Sequence, residues 1–370
     1  MAFISEVYCK LCDLKNSKPL EKPISLICPM SGEYCDGGGN RHQTTIKSSK
    51  NNVIYELYGE SVDKVVPAVC SVTYSLDNNK DSRWIVCPRK LFSSSFTNID
   101  ENAYLQQHEK DILLSAGMPK ETPLGVWAEV YLRDKGSNGD DAFVVNYHFD
   151  YLVSPLENLS IKSISDKYSV PVDEVVAESR KGGHVKGQVN SKSIIENVPD
   201  LSNVLIIEVM TASTSGSDTE RGTNIASAFL NAIQGHDCPS PGINRRQVWG
   251  RMATQLFAKS CLAEYWGGKT VWVIQDQLMN EISQATGLIP SKLKKSIGGT
   301  NINIAVLSYK DNQSSSVGFD YMTEWDSGVK IGGSGTMTDI LLPSNYPGKD
   351  TLVKSILRRE LSSKIILQSR

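Results

Sequence analysis

The sequence predicts an α/β fold with a mixed sheet, preceded by a cysteine-rich region. Three observations carry that expectation. Asn203–Met210 (NVLIIEVM) is a nearly unbroken apolar run, as a strand buried on both faces requires. Strand-like and helix-like segments alternate around it, which places helices over a sheet. Six of the eight cysteines (Cys9, Cys12, Cys28, Cys35, Cys70 and Cys87) fall within the first ninety residues.

Taken in order, residues 1–120 read as the cysteine-rich region, with short strands at Val69–Tyr74 and Arg83–Pro88. A helical pattern over Ala103–Ala116 is closed by Gly117 and Pro119. Residues 121–300 read as the core. Trp127–Leu132 alternates apolar and polar residues, and Ala142–Val153 is a longer β-branched and aromatic strand. Helices are expected over Thr223–Ile233 and Asn244–Trp266, the second stopped by Gly267-Gly268. A strand at Lys269–Ile274 and a helix over Asp276–Ala285 follow. Residues 301–370 read as a C-terminal extension packed on the core, with a strand at Asn301–Ser308 and a basic helix over Lys349–Leu367.

At 370 residues, with 40% hydrophobic and 22% charged content, the chain can bury a substantial core. No stretch approaches the ~18–20 apolar residues of a membrane span. The start, Met1–Glu6, lacks the basic-then-apolar layout of a secretion signal, so a cytoplasmic location is expected. There, clustered cysteines point to metal rather than disulfides. The net charge of −2 makes no case for nucleic acid by itself, yet it suits a nuclease that needs carboxylates for metal beside Lys and Arg for phosphates.

Three constellations could carry chemistry. Asp150 interrupts a run of aromatic and β-branched residues, and Glu208 follows four apolar ones. Two such carboxylates on neighbouring strands repel unless a divalent cation lies between them. Mg²⁺ held this way polarises a phosphodiester and promotes deprotonation of water. The plainer reading sets each acid at a solvated strand end or beside an Arg. Second, Cys28, Cys35, Cys70 and Cys87 lack tight two-knuckle spacing, but thiolate sites also assemble from scattered loops. The Cys9–Cys12 CxxC competes for the ligand role, and some of these thiols could be small core residues. Third, Arg251, Gln255 and Lys259 recur every four residues, as a polar stripe aimed into a cleft or as a solvated face. The basic, glycine-containing run Arg180–Lys186 could grip a DNA backbone through Arg180, Lys181 and Lys186, or simply be solvated. Gly37–Gly39 and Ile331–Gly335 read as plain loops.

Several local matches in the same order resemble the NotI-type type II restriction endonucleases. They are Phe3–Glu6 before Cys28-Pro29, Val69–Val72 with Trp84–Leu91, His148–Tyr151, Leu205–Thr211 and Gln255–Lys259. The resemblance implies a PD-(D/E)XK nuclease core, a homodimer on palindromic double-stranded DNA, catalytic Mg²⁺ and a structural iron on four thiolates, with zinc as the alternative. It carries Mg²⁺-ligand roles onto Asp150 and Glu208, with the Val209 carbonyl beside them. Thiolate roles pass to Cys28, Cys35, Cys70 and Cys87, although the spacing to Cys35 departs from the family pattern. The residue two beyond the Glu is usually Lys in the superfamily and Gln in NotI-type enzymes, whereas here it is Met210. A thioether donates no hydrogen bond, so Lys259 or Gln255 is expected to reach in from the following helix. Two alternatives accompany the nuclease: a catalytically silent, sequence-specific DNA-binding protein, which Met210 motivates, and a metal-stapled scaffold.

Overall fold

Leu205, Ile206, Ile207, Glu208 and Val209 are all buried, and their strand, Leu205–Met210, lies inside an eight-stranded mixed sheet. The computed structural model describes residues 2–12, 18–20, 26–38, 44–48, 52–75, 81–93, 105–135, 143–244, 246–287, 301–311, 314–326 and 346–368. The Ile331–Gly335 loop, Gly39, Ala103 and Ala142 lie outside them, as does the side chain of Arg251. Across the sheet the order is Val317–Asp326, Asn301–Tyr309, Lys269–Gln275, Leu205–Met210, Phe143–Ser160, Pro123–Lys135 and Ser363–Ile366. Ile194–Pro199 pairs with the far half of Phe143–Ser160.

Leu205–Met210 runs parallel to Lys269–Gln275, which runs parallel to Asn301–Tyr309. Parallel neighbours need a crossover, and the helices Arg246–Tyr265 and Asp276–Thr286 lie within these two. The other pairings are antiparallel. Strand alternation then sorts the two faces. Ile206 joins Phe149, Leu262 and Trp266 on one face, and Leu205, Ile207 and Val209 join Phe92 and Leu113 on the other. Trp266 is fully buried and its indole N–H donates to the Pro347 carbonyl at 2.9 Å. Burying a large side chain of this kind contributes roughly 1.5–3 kcal/mol.

The cysteine-rich region builds its own four-stranded sheet from Ala2–Val7, Lys10–Leu11, Val69–Ser75 and Asp81–Ile85. Its apolar face is covered by Ile225, Ala228, Phe229 and Ile233 of the Ile225–Ile233 helix, which Asn224 caps. A helix from the middle of the chain therefore completes the N-terminal unit. The two sheets are interlocked by polar contacts. The Gln275 side chain accepts from the Ile85 N–H at 2.7 Å and donates to the Arg83 carbonyl at 2.7 Å. Lys90 donates to Glu6 at 2.6 Å, with both side chains at most 2% exposed, and the Tyr309 hydroxyl donates to the other Glu6 oxygen at 2.7 Å.

The segment after residue 300 supplies three strands of the central sheet, two at one edge and one at the other, rather than an extension laid on it. The basic helix expected over Lys349–Leu367 ends at Leu357. Beyond Arg358 the chain turns, and buried Ser363 and Ile365 alternate with half-buried Lys364 and Ile366, the period of a strand. No helix among the described residues is long and apolar enough to cross a membrane.

Removing one partner of a buried ion pair strands the other charge, at a cost of about 3–5 kcal/mol. Lys90→Met is therefore expected to lower the urea midpoint sharply, and Lys90→Met with Glu6→Leu to recover most of the loss.

Candidate active site

The pairing of Leu205–Met210 with Phe143–Ser160 runs Leu205 to Val153, Ile206 to Leu152 and Ile207 to Tyr151. One further step sets Glu208 opposite Asp150. There the backbone ladder stops, and the Asp150 carboxylate accepts the Val209 N–H at 2.8 Å instead. Glu208 is 2% exposed. One of its oxygens accepts from Lys259 Nζ at 2.6 Å, and the other, Oε1, is buried with no hydrogen-bond partner. The ammonium also lies 5.7 Å from the centre of the Phe149 ring and 6.0 Å from that of Trp272.

Burial pushes the Glu208 carboxyl up to about 8, with the Asp150 charge adding to it and Lys259 opposing. Asp150 is also raised, first by burial, while its bond from Val209 opposes and the charge of Glu129 adds. Like charges drawn this close out of water favour a proton or a cation between them.

Helix geometry explains how Lys259 arrives here. A four-residue step on an α-helix turns about 400°, so the Arg251, Gln255, Lys259 stripe drifts by about 40° per step. Gln255 remains exposed, whereas Lys259, one step on, is 6% exposed and faces the sheet. Met210 packs against the apolar cluster that holds Met252, Leu256 and Trp272. The structure thus brings Asp150, Glu208 and Lys259 together, sets Met210 beside them in an apolar wall, and leaves Gln255 at the surface.

Two residues that the sequence reading did not single out sit next to this group. The pairing of Ala128 with Tyr151 and of Val130 with Phe149 sets Glu129 opposite Asp150 on the other side. Three acidic residues, Glu129, Asp150 and Glu208, thus share one level across three adjacent strands. Glu129 has φ of +50°, and its carbonyl accepts from Arg359 at 3.0 Å. Its carboxylate lies 2.5 Å from His148 Nε2. In the sequence Glu129 looks like an ordinary outward position of an alternating strand, so its only signal is its register with Asp150.

The orphaned Glu208 oxygen, with Asp150 beside it, is the donor chemistry a hard divalent cation takes. Among the described residues no three His, Cys, Asp or Glu side chains already converge as a ligand group.

Six thiols lie in the N-terminal unit. Cys9 Sγ lies 3.7 Å from Cys70 Sγ, which also accepts the Cys9 N–H at 3.2 Å. The Cys28 thiol is drawn down to about 5, first by a hydrogen bond from Cys9, with the N–H groups of Met30 and Ser31 helping against burial. Cys87 is buried and held up by desolvation and by the charges of Cys70, Cys28 and Cys35. Cys35 is half-buried, and desolvation raises it to about 12. Cys12 is raised to about 12 by burial and by Glu6. In a tetrahedral site with metal–sulfur bonds of ~2.3 Å, sulfurs stand ~3.8 Å apart. The Cys9–Cys70 separation fits such an edge.

Arg180 and Lys181 belong to the last turn of the Val172–Lys181 helix rather than to a loop. Lys181 pairs with Glu178 at 2.8 Å, Arg180 donates to the Gly187 carbonyl at 3.1 Å, and Lys186 is exposed. Cations at a helix C-terminus complement its dipole, which accounts for the first two. The helix that carries Arg180 and Lys181 packs against the C-terminal helix Lys349–Leu357.

No protein family matches this sequence, and no curated protein does either.

A carboxyl raised above its ordinary 4.5 binds its proton more tightly in the folded state, so wild-type stability falls as pH rises through the window up to about 8 and then levels off. Lys259→Met removes the group that opposes the shift. The variant is expected to match wild type in this window and to keep losing stability above pH 8, as read by urea midpoints from pH 5 to 10.

Proposed function

We propose that the protein is a Mg²⁺-dependent endonuclease that hydrolyses phosphodiester bonds of double-stranded DNA at a specific, palindromic site. The observation that carries this reading is a single constellation. Asp150 and Glu208 face each other on adjacent strands, one Glu208 oxygen is unsatisfied, and Lys259 Nζ stands 2.6 Å from the other. That is two acids and one ammonium at a single level of the sheet, the set a metal-assisted hydrolase of phosphodiesters needs.

Asp150 and Glu208 would hold Mg²⁺, with the Val209 carbonyl beside them. When bound, the ion supplies Lewis-acid polarisation of the phosphodiester and a more acidic water. The chain's own residues do the rest. The Val209 N–H fixes the Asp150 carboxylate, so that it is oriented before any ligand arrives. Phe149 and Trp272 keep bulk water from Lys259, which strengthens its field at the reacting phosphate. Lys259 thereby takes the place that a lysine or glutamine two residues beyond Glu208 would have, and Met210 needs no polar role. His148 stands beside the Glu129 carboxylate within the same cluster. A two-fold symmetric DNA site would be met by a homodimer.

The thiols form the structural metal site of the same reading, as iron or zinc. Cys28, Cys70 and Cys87 supply three buried ligands, and Cys9, half-buried like Cys35 but 3.7 Å from Cys70, is the better placed to be the fourth. The metal would brace the strands that carry Gln275's partners.

Purified protein is expected to cut genome-sized DNA into discrete fragments in Mg²⁺ and not in EDTA. Asp150→Ala and Glu208→Ala should abolish cutting, and Lys259→Met should slow it by about 10²–10³-fold. Specific binding without cutting in Mg²⁺ or Mn²⁺ would instead support the silent DNA-binding reading. Elemental analysis is expected to find one iron or zinc per chain, lost in Cys9→Ser and kept in Cys35→Ser.

A further inference from the structure

A cavity of about 320 Å³ opens beside the carboxylate row, lined by Tyr131, Leu132, Arg133, Thr351, Lys354, Ser355, Arg358 and Arg359. Its lining holds four cationic side chains and no carboxylate. Arg133 and Arg359 stand 5.5 and 5.7 Å from the Tyr131 ring, and Tyr131 itself stacks on His148 at 4.3 Å.

Helix chemistry accounts for part of this charge. Lys354 reaches Glu174 at 3.2 Å and Asp350 at 3.8 Å, and Arg358 reaches Glu178 at 2.9 Å, all three acids lying outside the lining. It does not account for Arg359. Burial first, and then the charges of Arg358 and Arg133, lower the pKa of that guanidinium; its Nη1 donates to the Glu129 carbonyl, while its Nε is buried with no hydrogen-bond partner. Packing like-charged guanidinium groups around one cavity is unfavourable until an anion enters it.

The position of the cavity identifies the anion. Tyr131 pairs with His148, two residues along the strand from Asp150, or ~7 Å at ~3.4 Å per residue. That is about two nucleotides of duplex rise along one DNA strand. The basic run Arg180–Lys186 abuts the same corner, because His184 is hydrogen-bonded to the Arg359 carbonyl at 2.8 Å and Gly182 is seated against the Leu357 carbonyl. An added Cβ at Gly182 would stand 2.2 Å from that oxygen, so the close approach needs glycine.

We infer that this cavity is a phosphate clamp: Arg133, Arg358 and Arg359 hold a backbone phosphate of the DNA strand close to the bond that Asp150 and Glu208 address. The inference rests on the nuclease reading. It adds a site on the Glu129 side of the carboxylate row, where Arg359 donates to the Glu129 carbonyl at 3.0 Å.

The test is binding of a fluorescent DNA duplex in Ca²⁺ across a salt series, with wild type, Arg133→Gln/Arg358→Gln and the control Lys64→Gln. All three substituted side chains are exposed, and melting temperatures check the folds. Each lost phosphate contact reduces the magnitude of the log–log salt slope by about 1. The double variant, which weakens the hold on that one phosphate, is expected to lose up to about 1 from the slope, with the control unchanged. A slope in the double variant equal to that of the control overturns the clamp and leaves the nuclease reading standing. Failure of wild type to bind duplex DNA at all overturns both.

Discussion

A carboxylate placed within an otherwise apolar six-residue strand is the constraint on which the rest of this structure turns. Glu208 has no route to bulk solvent, so its charge must be met from inside the fold. Lys259 meets it, and in doing so fixes the rotation of the Arg246–Tyr265 helix over the sheet. A one-residue shift would swing Lys259 away by about 100° and carry the buried Cys261 and Leu262 out of their positions. The apolar contacts of Trp266, Met252 and Leu256 then settle on a helix whose register is already set. Lys259 reaches only one of the two Glu208 oxygens, and the other, Oε1, is buried without a hydrogen-bond partner.

The N-terminal unit bears on this site through polar joints. Tyr151, next to Asp150, hydrogen-bonds the Phe92 carbonyl at 3.3 Å and meets the Phe92 ring edge-to-face at 5.1 Å. Gln275 ends the strand beside Leu205–Met210 and ties it to Arg83 and Ile85. Arg83 in turn lies 3.5 Å over the Tyr309 ring, whose hydroxyl holds Glu6. A metal held by the thiols would stiffen the strands that end in these joints. On the other flank the positive φ of Glu129 and its carbonyl bond from Arg359 link the carboxylate row to the cationic cavity. Scaffold, carboxylates and basic cavity thus form one connected arrangement.

Much of this was legible in the sequence where burial leaves a periodic trace. Asp150 and Glu208 stand out because each breaks an apolar run, and Lys259 stands out as the inner end of a four-residue stripe. The strands Phe143–Ser160, Lys269–Gln275 and Asn301–Tyr309 and the helices Ile225–Ile233 and Asp276–Thr286 fall within a few residues of expectation at the ends that matter, although Phe143–Ser160 runs seven residues further than Val153. What escaped depends on partners distant in the chain. Glu129 acquires meaning only from its register with Asp150. The Val317–Asp326 strand and the helices Ile161–Tyr168 and Val172–Lys181 also escaped, although both helices have a one-sided apolar pattern, with Ile161, Ile164, Tyr168 and Val175 on the buried face. The terminal strand Ser363–Ile366 was masked by the basic residues just before it. The clamp arginines come from two segments more than two hundred residues apart.

The most direct test of the central claim is the anomalous scattering of crystals soaked in Mn²⁺ near pH 8.5, where Glu208 is ionised. The account predicts a peak between the Asp150 and Glu208 carboxylates, in contact with the Glu208 oxygen that now lacks a partner. Absence of manganese there, with the Glu208–Lys259 pair intact and the ion bound elsewhere or not at all, would contradict it: the buried pair would then be a structural ion pair, and the cleft would not be a metal-dependent nuclease site.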